Sequence, residues 1–290
     1  MTKPCISFEF FPAKTPAGAR ALRNTIVQLK AMASNYYSVT YGAGGSTHDG
    51  SLSLVKELAQ AHHAKVAPHM TCIGTEKDKL LALLKQYQAL NIHRLVALRG
   101  DISKEYEIAK GLDSAADLIT FIRKHSGRHF HIDVAAYPEC HPKSPNARAD
   151  LLNFKAKVAA GADSAITQYF YNPDAYFQFI DRCAKYQIFV PIVPGIMPIM
   201  NAQRLIKFSQ LCGAEIPRWI LKRLADFADC DASLQAFGLE VTQQLCERLI
   251  AGGAPGLHFY TLNTAHTTLN LLQSLGLTTR VDAPSFQQVE

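Results

Sequence analysis

The chain has 290 residues, of which 48% are hydrophobic and 19% charged, with a formal net charge of +6. That length buries a large core as one barrel-sized domain or two smaller ones, and the composition excludes a disordered or fibrous chain. Lys and Arg are spread rather than blocked, which argues against a nucleic-acid arm and favours small anionic partners; no run suits a signal peptide or a membrane span.

Eight β-rich runs alternate with helical stretches. The first, 5–12 (CISFEFFP), carries a glutamate between phenylalanines. Its period of two sends Phe8 and Phe10 to one face and Ser7 and Glu9 to the other. A charge inside such a strand is costly unless it is paired or functional. Two readings follow: a carboxylate held by a neighbouring Arg or amide, or an acid whose pKa an apolar setting raises so that it donates a proton near neutrality. A helix follows over 16–33, then a second strand over 36–42 (YYSVTYG), the loop 44–47 and a helix over 50–63. The third strand is 65–72 (KVAPHMTC), followed by a Leu-, Lys- and Ala-rich helix over 76–90. The fourth, 94–100 (RLVALRG), leads through a charged loop to a helix over 114–125. The fifth is 131–137 (HIDVAAY), with a loop and a helix over 147–160 closed by Gly161. The sixth is 164–170 (SAITQYF), before a helix opened by Asn172-Pro173-Asp174. The prolines of the seventh, 190–197 (VPIVPGIM), predict an irregular course. Two or three helices occupy 201–251, one opening near Pro217. The eighth strand is 256–263 (GLHFYTLN), and a last helix runs to about residue 274, before a frayed tail.

Eight βα units without a Gly-, Ser- or Pro-rich linker predict one (β/α)8 barrel over 1–290, with extra helices between strands seven and eight. A doubly wound sheet would more usually bring a Gly-rich turn after strand one, where this chain has PAKTPAG. The seven cysteines form no CxxC pair, which predicts free thiols in a reducing cytoplasm.

Active sites of such barrels lie at the C-terminal ends of the strands. The polar residues read as inward there are Ser7, Glu9, Ser38, Thr40, His69, Thr71, Arg99, Asp101, Asp133, Tyr137, Gln168, His258 and Tyr260. The alternate positions, among them Val96 and Leu98, are largely apolar. No lysine falls at a strand end, which disfavours a Schiff-base aldolase, and no His/Asp/Glu set has metal-ligand spacing. Cys140-His141 beside Glu139 reads as a loop thiol rather than a dyad. Residues 42–47 (GAGGST) read equally as a tight turn or an anion loop without a following Lys.

The segments SFEFFP (7–12), SVTYGA (38–43), APHMTC (67–72), VALRGD (96–101), AAYPE (135–139), AITQYF (165–170), PGIMP (194–198) and HFYTLN (258–263) resemble, in order and spacing, methylenetetrahydrofolate reductases of the bacterial, catalytic-domain-only type. The resemblance covers essentially the whole chain. It implies a (β/α)8 barrel that binds FAD and reduces 5,10-methylenetetrahydrofolate to 5-methyltetrahydrofolate by a ping-pong mechanism, with NADH or NADPH as reductant. It implies Glu9 as the general acid for opening the folate ring and Asp101 as a carboxylate near flavin and pterin. For FAD it implies Thr40, His69, Arg99, Gly100, Asp101, Ala135, Tyr137, His141, Asp150, Asn153 and Lys157. For folate and nicotinamide it implies Glu9, Gln168, Phe208, Tyr260 and Leu262. Two departures stand out: Ala156 where a second basic residue is expected, and Arg204 where a glutamine is expected. The resemblance further implies a cytoplasmic homo-oligomer that supplies methyl groups for methionine synthesis, with no S-adenosylmethionine feedback.

Overall fold

The computed structural model describes residues 4–30, 32, 34–41, 48–100, 112–227 and 229–277. Its elements are β1 (Cys5–Phe10), α1 (Pro16–Lys30), β2 (Tyr36–Val39), α2 (His48–Lys56) running into a π-helical turn (Glu57–Ala61), β3 (Val66–Thr71) and α3 (Lys77–Ala89). They continue with β4 (Arg94–Leu98), α4 (Ala115–Ser126), β5 (His131–Ala136), α5 (Ala147–Ala159), β6 (Ser164–Thr167) and α6 (Pro173–Lys185). The remainder are β7 (Ile192–Val193), β8 (Gly195–Ile196), α7 (Ala202–Cys212), α8 (Arg218–Asp226), α9 (Asp231–Ala251), β9 (Gly256–Tyr260) and α10 (His266–Ser274). Asp101 and the 42–47 loop, both singled out from the sequence, lie outside the described residues, as does the tail beyond residue 277.

Every strand pair is parallel, in the order β7-β6-β5-β4-β3-β2-β1-β9-β8. β7 and β8 are two halves of one barrel strand, parted at Pro194, which has no N–H for the ladder. One half pairs with β6 and the other with β9, so the ring closes as a (β/α)8 barrel. The three helices α7, α8 and α9 occupy the long connection before β9.

Local chemistry starts the helices where the sequence signals them. Ser114 and Asp117 form a reciprocal capping box at α4, and Asn146, Asn172 and Asn201 each accept an amide at the starts of α5, α6 and α7. Each such cap is worth about 1 kcal/mol.

Phe8 and Phe10 are fully buried on the outer face of β1, packed with Leu22, Ile26 and Leu29 of α1 and with Tyr37 and Val39. Burying each ring contributes roughly 1.5–3 kcal/mol. A second cluster (Tyr169, Tyr171, Met197, Ile199, Leu205, Ile220, Leu224, Leu234 and Val241) seats α7, α8 and α9 against the ends of β6 and β8.

Inside the ring, Tyr36, Ala67, Val96 and Ile166 pack with Cys5 and Leu98. This corrects the expected register of β4: Val96 and Leu98 point inward and Leu95 and Ala97 face the helices. Arg99 therefore does not enter the barrel. Its Nε donates to the Asp113 carbonyl at 3.1 Å. The inward arginine is Arg94, whose guanidinium grips Asp133 (2.6 and 2.8 Å) and lies 4.1 Å from the Tyr36 ring centroid. Ser164 also donates to Asp133. Asp133 thus belongs to a buried ion pair rather than to the barrel mouth. Burial pushes its carboxyl up, but hydrogen bonds from His131 and Arg94 and the Arg94 charge outweigh this and hold it at about 2.

Candidate active site

Glu9 comes from the end of β1, in register with Ser38 of β2 and Tyr260 of β9. Its side chain is 18% exposed, enough to reach solvent at the mouth. Around its Oε2 stand His69 Nε2 at 3.2 Å, His258 Nε2 at 3.6 Å and Ser38 Oγ at 3.5 Å. The His69 contact is close but not aligned, since that nitrogen makes no hydrogen bond. Desolvation pushes the Glu9 carboxyl up, as the apolar strand predicts. The His69 charge and the hydrogen bond from His258 oppose it and win, leaving the group at about 2. The expectation of a raised pKa is thus corrected: what surrounds Glu9 is two imidazoles, not hydrocarbon.

Tyr260 crosses the mouth and donates its hydroxyl to the Thr167 carbonyl at 2.8 Å. Burial raises that phenol well above its ordinary range, so it shapes the pocket and is not a proton source. The crossing depends on Gly195, where a Cβ would stand 2.2 Å from the Thr167 carbonyl and 2.6 Å from the Tyr260 ring. Leu262 and Asn263 follow with φ of 49° and 58°, a conformation that costs a non-glycine residue about 1–2 kcal/mol. Asn263 holds the turn by accepting from Phe11 N at 3.1 Å and donating to Phe11 O at 2.7 Å. Gln168 turns its carbonyl back onto Tyr169 N at 3.0 Å. Phe208, expected from the resemblance to face folate and nicotinamide, is 36% exposed on α7. Arg204 of the same helix is exposed.

A second group lies across β2 to β5 and α5. Thr40 Oγ1 and His69 Nε2 are buried without a hydrogen-bond partner. Gly100 turns with φ of 87° beneath Thr71, where a Cβ would stand 3.0 Å from the threonine Cβ. Tyr137 meets His141 edge-on at 4.5 Å. Asp150 folds the intervening loop by accepting from His141 N and Ser144 Oγ, each at 3.0 Å. Lys157 reaches from α5 to the Ala135 carbonyl at 2.5 Å, so a lysine does arrive at a strand end, carried there by a helix. Desolvation lowers it to about 8, partly opposed by Asp150. Asn153 and Ala156 are exposed on α5.

Buried donors and acceptors that lack partners carry a penalty of about 1–3 kcal/mol each, and a desolvated cation favours an anion. Thr40 and Lys157 therefore fit a polar, phosphate-bearing ligand such as FAD, whereas His69 is already turned toward Glu9. The sequence placed His258, Ser38 and Ser7 inward without giving them a role; the alternation within their own strands was the only signal. Among the described residues no group of three or more His, Cys, Asp or Glu is placed to hold a metal ion, and no helix is long and apolar enough to cross a membrane.

A family model described as Methylenetetrahydrofolate reductase matches residues 1–276. The 5,10-methylenetetrahydrofolate reductase of Escherichia coli (strain K12) is 36% identical over 94% of this chain and 90% of its own length. That of Salmonella typhimurium is 37% identical over the same shares. Methylenetetrahydrofolate reductase (NADH) 1 of Arabidopsis thaliana is 34% identical over 93% of this chain and 48% of its own length. Among solved structures, a Clostridium thermocellum protein that binds two copies of 5-methyl-5,6,7,8-tetrahydrofolic acid has the same fold, with a TM-score of 0.64 at 16% identity over 94% of this chain and 95% of that one. Matched along the barrel from first strand to last, the chain belongs to the methylenetetrahydrofolate reductase family of oxidoreductases.

Proposed function

We propose that the barrel reduces 5,10-methylenetetrahydrofolate to 5-methyltetrahydrofolate with FAD bound across β2 to β5, with Glu9 as the general acid. The observation that carries the acid assignment is the carboxylate at the mouth, flanked by two imidazoles and open to solvent on one side. Bound FAD supplies the two-electron carrier between a nicotinamide and the folate. Thr40 and His69 would meet its polar edges, and Lys157 and His141 its phosphates or ribose. Arg99, Gly100, Ala135, Tyr137, Asp150 and Asn153 belong to the same proposed surface, and Asp101 would complete it.

The folate imidazolidine ring opens when its departing nitrogen takes a proton, leaving an iminium carbon to be reduced. Glu9 is the carboxylate at the mouth, but its low pKa means that the proton must be present in its cluster rather than permanently on the carboxyl. Substrate filling the mouth removes the remaining water from Glu9, which strengthens desolvation and favours the protonated acid. Gln168, Tyr260 and Leu262 would bound the folate, and Phe208 offers an exposed ring on which nicotinamide and folate could stack in turn. That shared surface supports a ping-pong order. The name of the Arabidopsis relative supports NADH as the donor. The seven free cysteines support a reducing compartment such as the cytoplasm, and exposed Phe189, Leu211 and Trp219 suit a homo-oligomer contact.

The test is Glu9→Gln in the FAD-loaded protein, followed by anaerobic absorbance. Bleaching by NADH is expected to persist, while reoxidation by methylenetetrahydrofolate falls by roughly 10²–10⁴-fold. Equal loss of both half-reactions would remove Glu9 from the acid role.

A further inference from the structure

Beneath Glu9 stands a column of polar groups that the reaction outlined above leaves unused. His258 is fully buried within the ring. Its Nδ1 lies 2.8 Å from Ser7 Oγ, and its Nε2 lies 3.6 Å from Glu9 Oε2. Ser38 Oγ stands between them, 3.5 Å from each. The strand register produces this arrangement: Ser7 is directly opposite His258, and Glu9 is the next inward residue above Ser7. Tyr36 lies roughly parallel to the imidazole at 6.2 Å and Tyr260 meets it edge-on at 5.3 Å, so the buried ring is flanked by two aromatics. A hydroxyl both donates and accepts, so Ser7 anchors the ring at Nδ1, and toward an imidazolium, which carries a proton on each nitrogen, it accepts. With Ser7 accepting from Nδ1–H, Nε2 is the nitrogen that exchanges a proton with Glu9.

Resting on the reading of Glu9 as the general acid, we propose that His258 is a positioning residue that stores the proton Glu9 delivers, with Ser7 anchoring its Nδ1 and Ser38 bridging the gap. The transfer balances. The Nε2–H bond of the imidazolium breaks as the Oε2–H bond of Glu9 forms, and that bond breaks in turn as an N–H bond forms on the departing folate nitrogen. His258 is left neutral, still donating Nδ1–H to Ser7, and water at the open mouth restores the proton after product leaves.

The groups facing this pair come from each neighbouring strand. β1 brings Glu9 itself and Ser7, β2 brings Tyr36 and Ser38, β3 brings His69, and β9 brings Tyr260. β8 meets His258 only through backbone, at Gly195. Arg94 lies beyond Tyr36 and is paired with Asp133. Tyr260 is occupied with the Thr167 carbonyl. His69 approaches the same carboxylate oxygen, but no hydroxyl fixes its other nitrogen among the described residues. His258 is the imidazole held on both sides.

The experiment is the pH profile of methylenetetrahydrofolate reduction by the FAD-loaded full chain, for wild type, His258→Asn and Ser7→Ala. With the imidazole present, the proton has a second holding place beside Glu9. Without it, that holding place is lost and only Glu9 and the less constrained His69 remain to carry the proton. His258→Asn is therefore expected to move the alkaline limb of kcat down by about one pH unit or more, a fall of about tenfold at a fixed pH above the limb, with KM for the folate changed less than about twofold. An unmoved limb overturns the proposal, even if kcat drops uniformly. Should His258→Asn not fold, Ser7→Ala must move the limb in the same direction by a smaller amount, and an unmoved limb overturns it equally. Nitrogen-15 histidine NMR provides a readout independent of turnover: neutral His258 is expected as the Nδ1–H tautomer, and the Nε2–H tautomer would refute the relay. Glu9→Gln separates the two ideas. Folate reduction that survives it removes the acid assignment itself, whereas an inactive Glu9→Gln beside an unmoved His258→Asn limb removes only the relay.

Discussion

Lys157 gives the FAD assignment a quantitative handle. Its ammonium is drawn onto the Ala135 carbonyl, and desolvation lowers it from 10.5 to about 8. A pyrophosphate brought beside it would restore the charged form. Binding then takes up a proton wherever the free protein has lost one, so affinity for FAD is expected to be flat below pH 8. Above that it weakens by up to tenfold per pH unit. The interval between about 8 and 10.5 caps the effect at about 3 kcal/mol, reached only if the bound ammonium recovers fully. The sign for the free protein is the reverse. Its folded-state pKa is depressed, so the unfolded chain holds the proton more tightly and Lys157's contribution to folding improves as pH rises from 8 to 10.5. Titrating apoprotein with FAD between pH 7 and 9.5, read by flavin fluorescence, checks this directly. Lys157→Met is expected to weaken binding at pH 7 and to flatten the pH dependence. An affinity that stays constant above pH 8, or one that keeps its slope in Lys157→Met, would refute the placement of the phosphates.

Other outcomes follow from the same packing. Asp133, held at about 2, contributes about 2 kcal/mol that is fully present above pH 4 and lost as pH falls toward 2, with Glu9 adding to the same window. Asp133→Asn is expected to flatten that part of a urea-denaturation series and to cost roughly 3–5 kcal/mol at pH 7 by stranding Arg94. Gly195→Ala places a methyl 2.2 Å from the Thr167 carbonyl and is expected to cost about 1–3 kcal/mol. Calorimetry showing an unchanged Tm would mean that the Tyr260 crossing is not tight. Phe208→Ala, at an exposed position, is expected to leave stability within about 0.5 kcal/mol while raising KM for folate and nicotinamide and sparing FAD affinity, as steady-state kinetics and titration would show.

Most of the fold was legible because turn chemistry and period-two runs coincide. Pro194 even signalled the break that divides one barrel strand into β7 and β8. The misreading of β4 has a specific cause. A barrel strand is buried on both faces, so hydrophobicity does not say which face looks inward. A charge can break that tie, as Glu9 does on β1. The predicted fourth strand, 94–100, has two, Arg94 and Arg99, an odd number of residues apart and therefore directed to opposite faces. Only one can enter the ring, and Asp133 across the sheet selects Arg94. That partner belongs to another strand and is invisible from β4 alone.

The same limit explains why the state of Glu9 was not legible. The phenylalanines flanking Glu9 in sequence suggested an apolar environment, but the pleat turns them away from it. The groups that Glu9 does meet, Ser38, His69 and His258, come from three other strands and are brought to it by register. Sequence neighbours of an inward residue describe the outer core, and its own surroundings are always non-local. The direction of a pKa shift inside a barrel is therefore a property of the closed ring. It also changes the chemistry demanded of the acid. A glutamate raised by hydrocarbon would carry its own proton at neutrality, whereas one lowered by imidazoles must receive the proton from them, which makes the inward residue of β9 as consequential as that of β1.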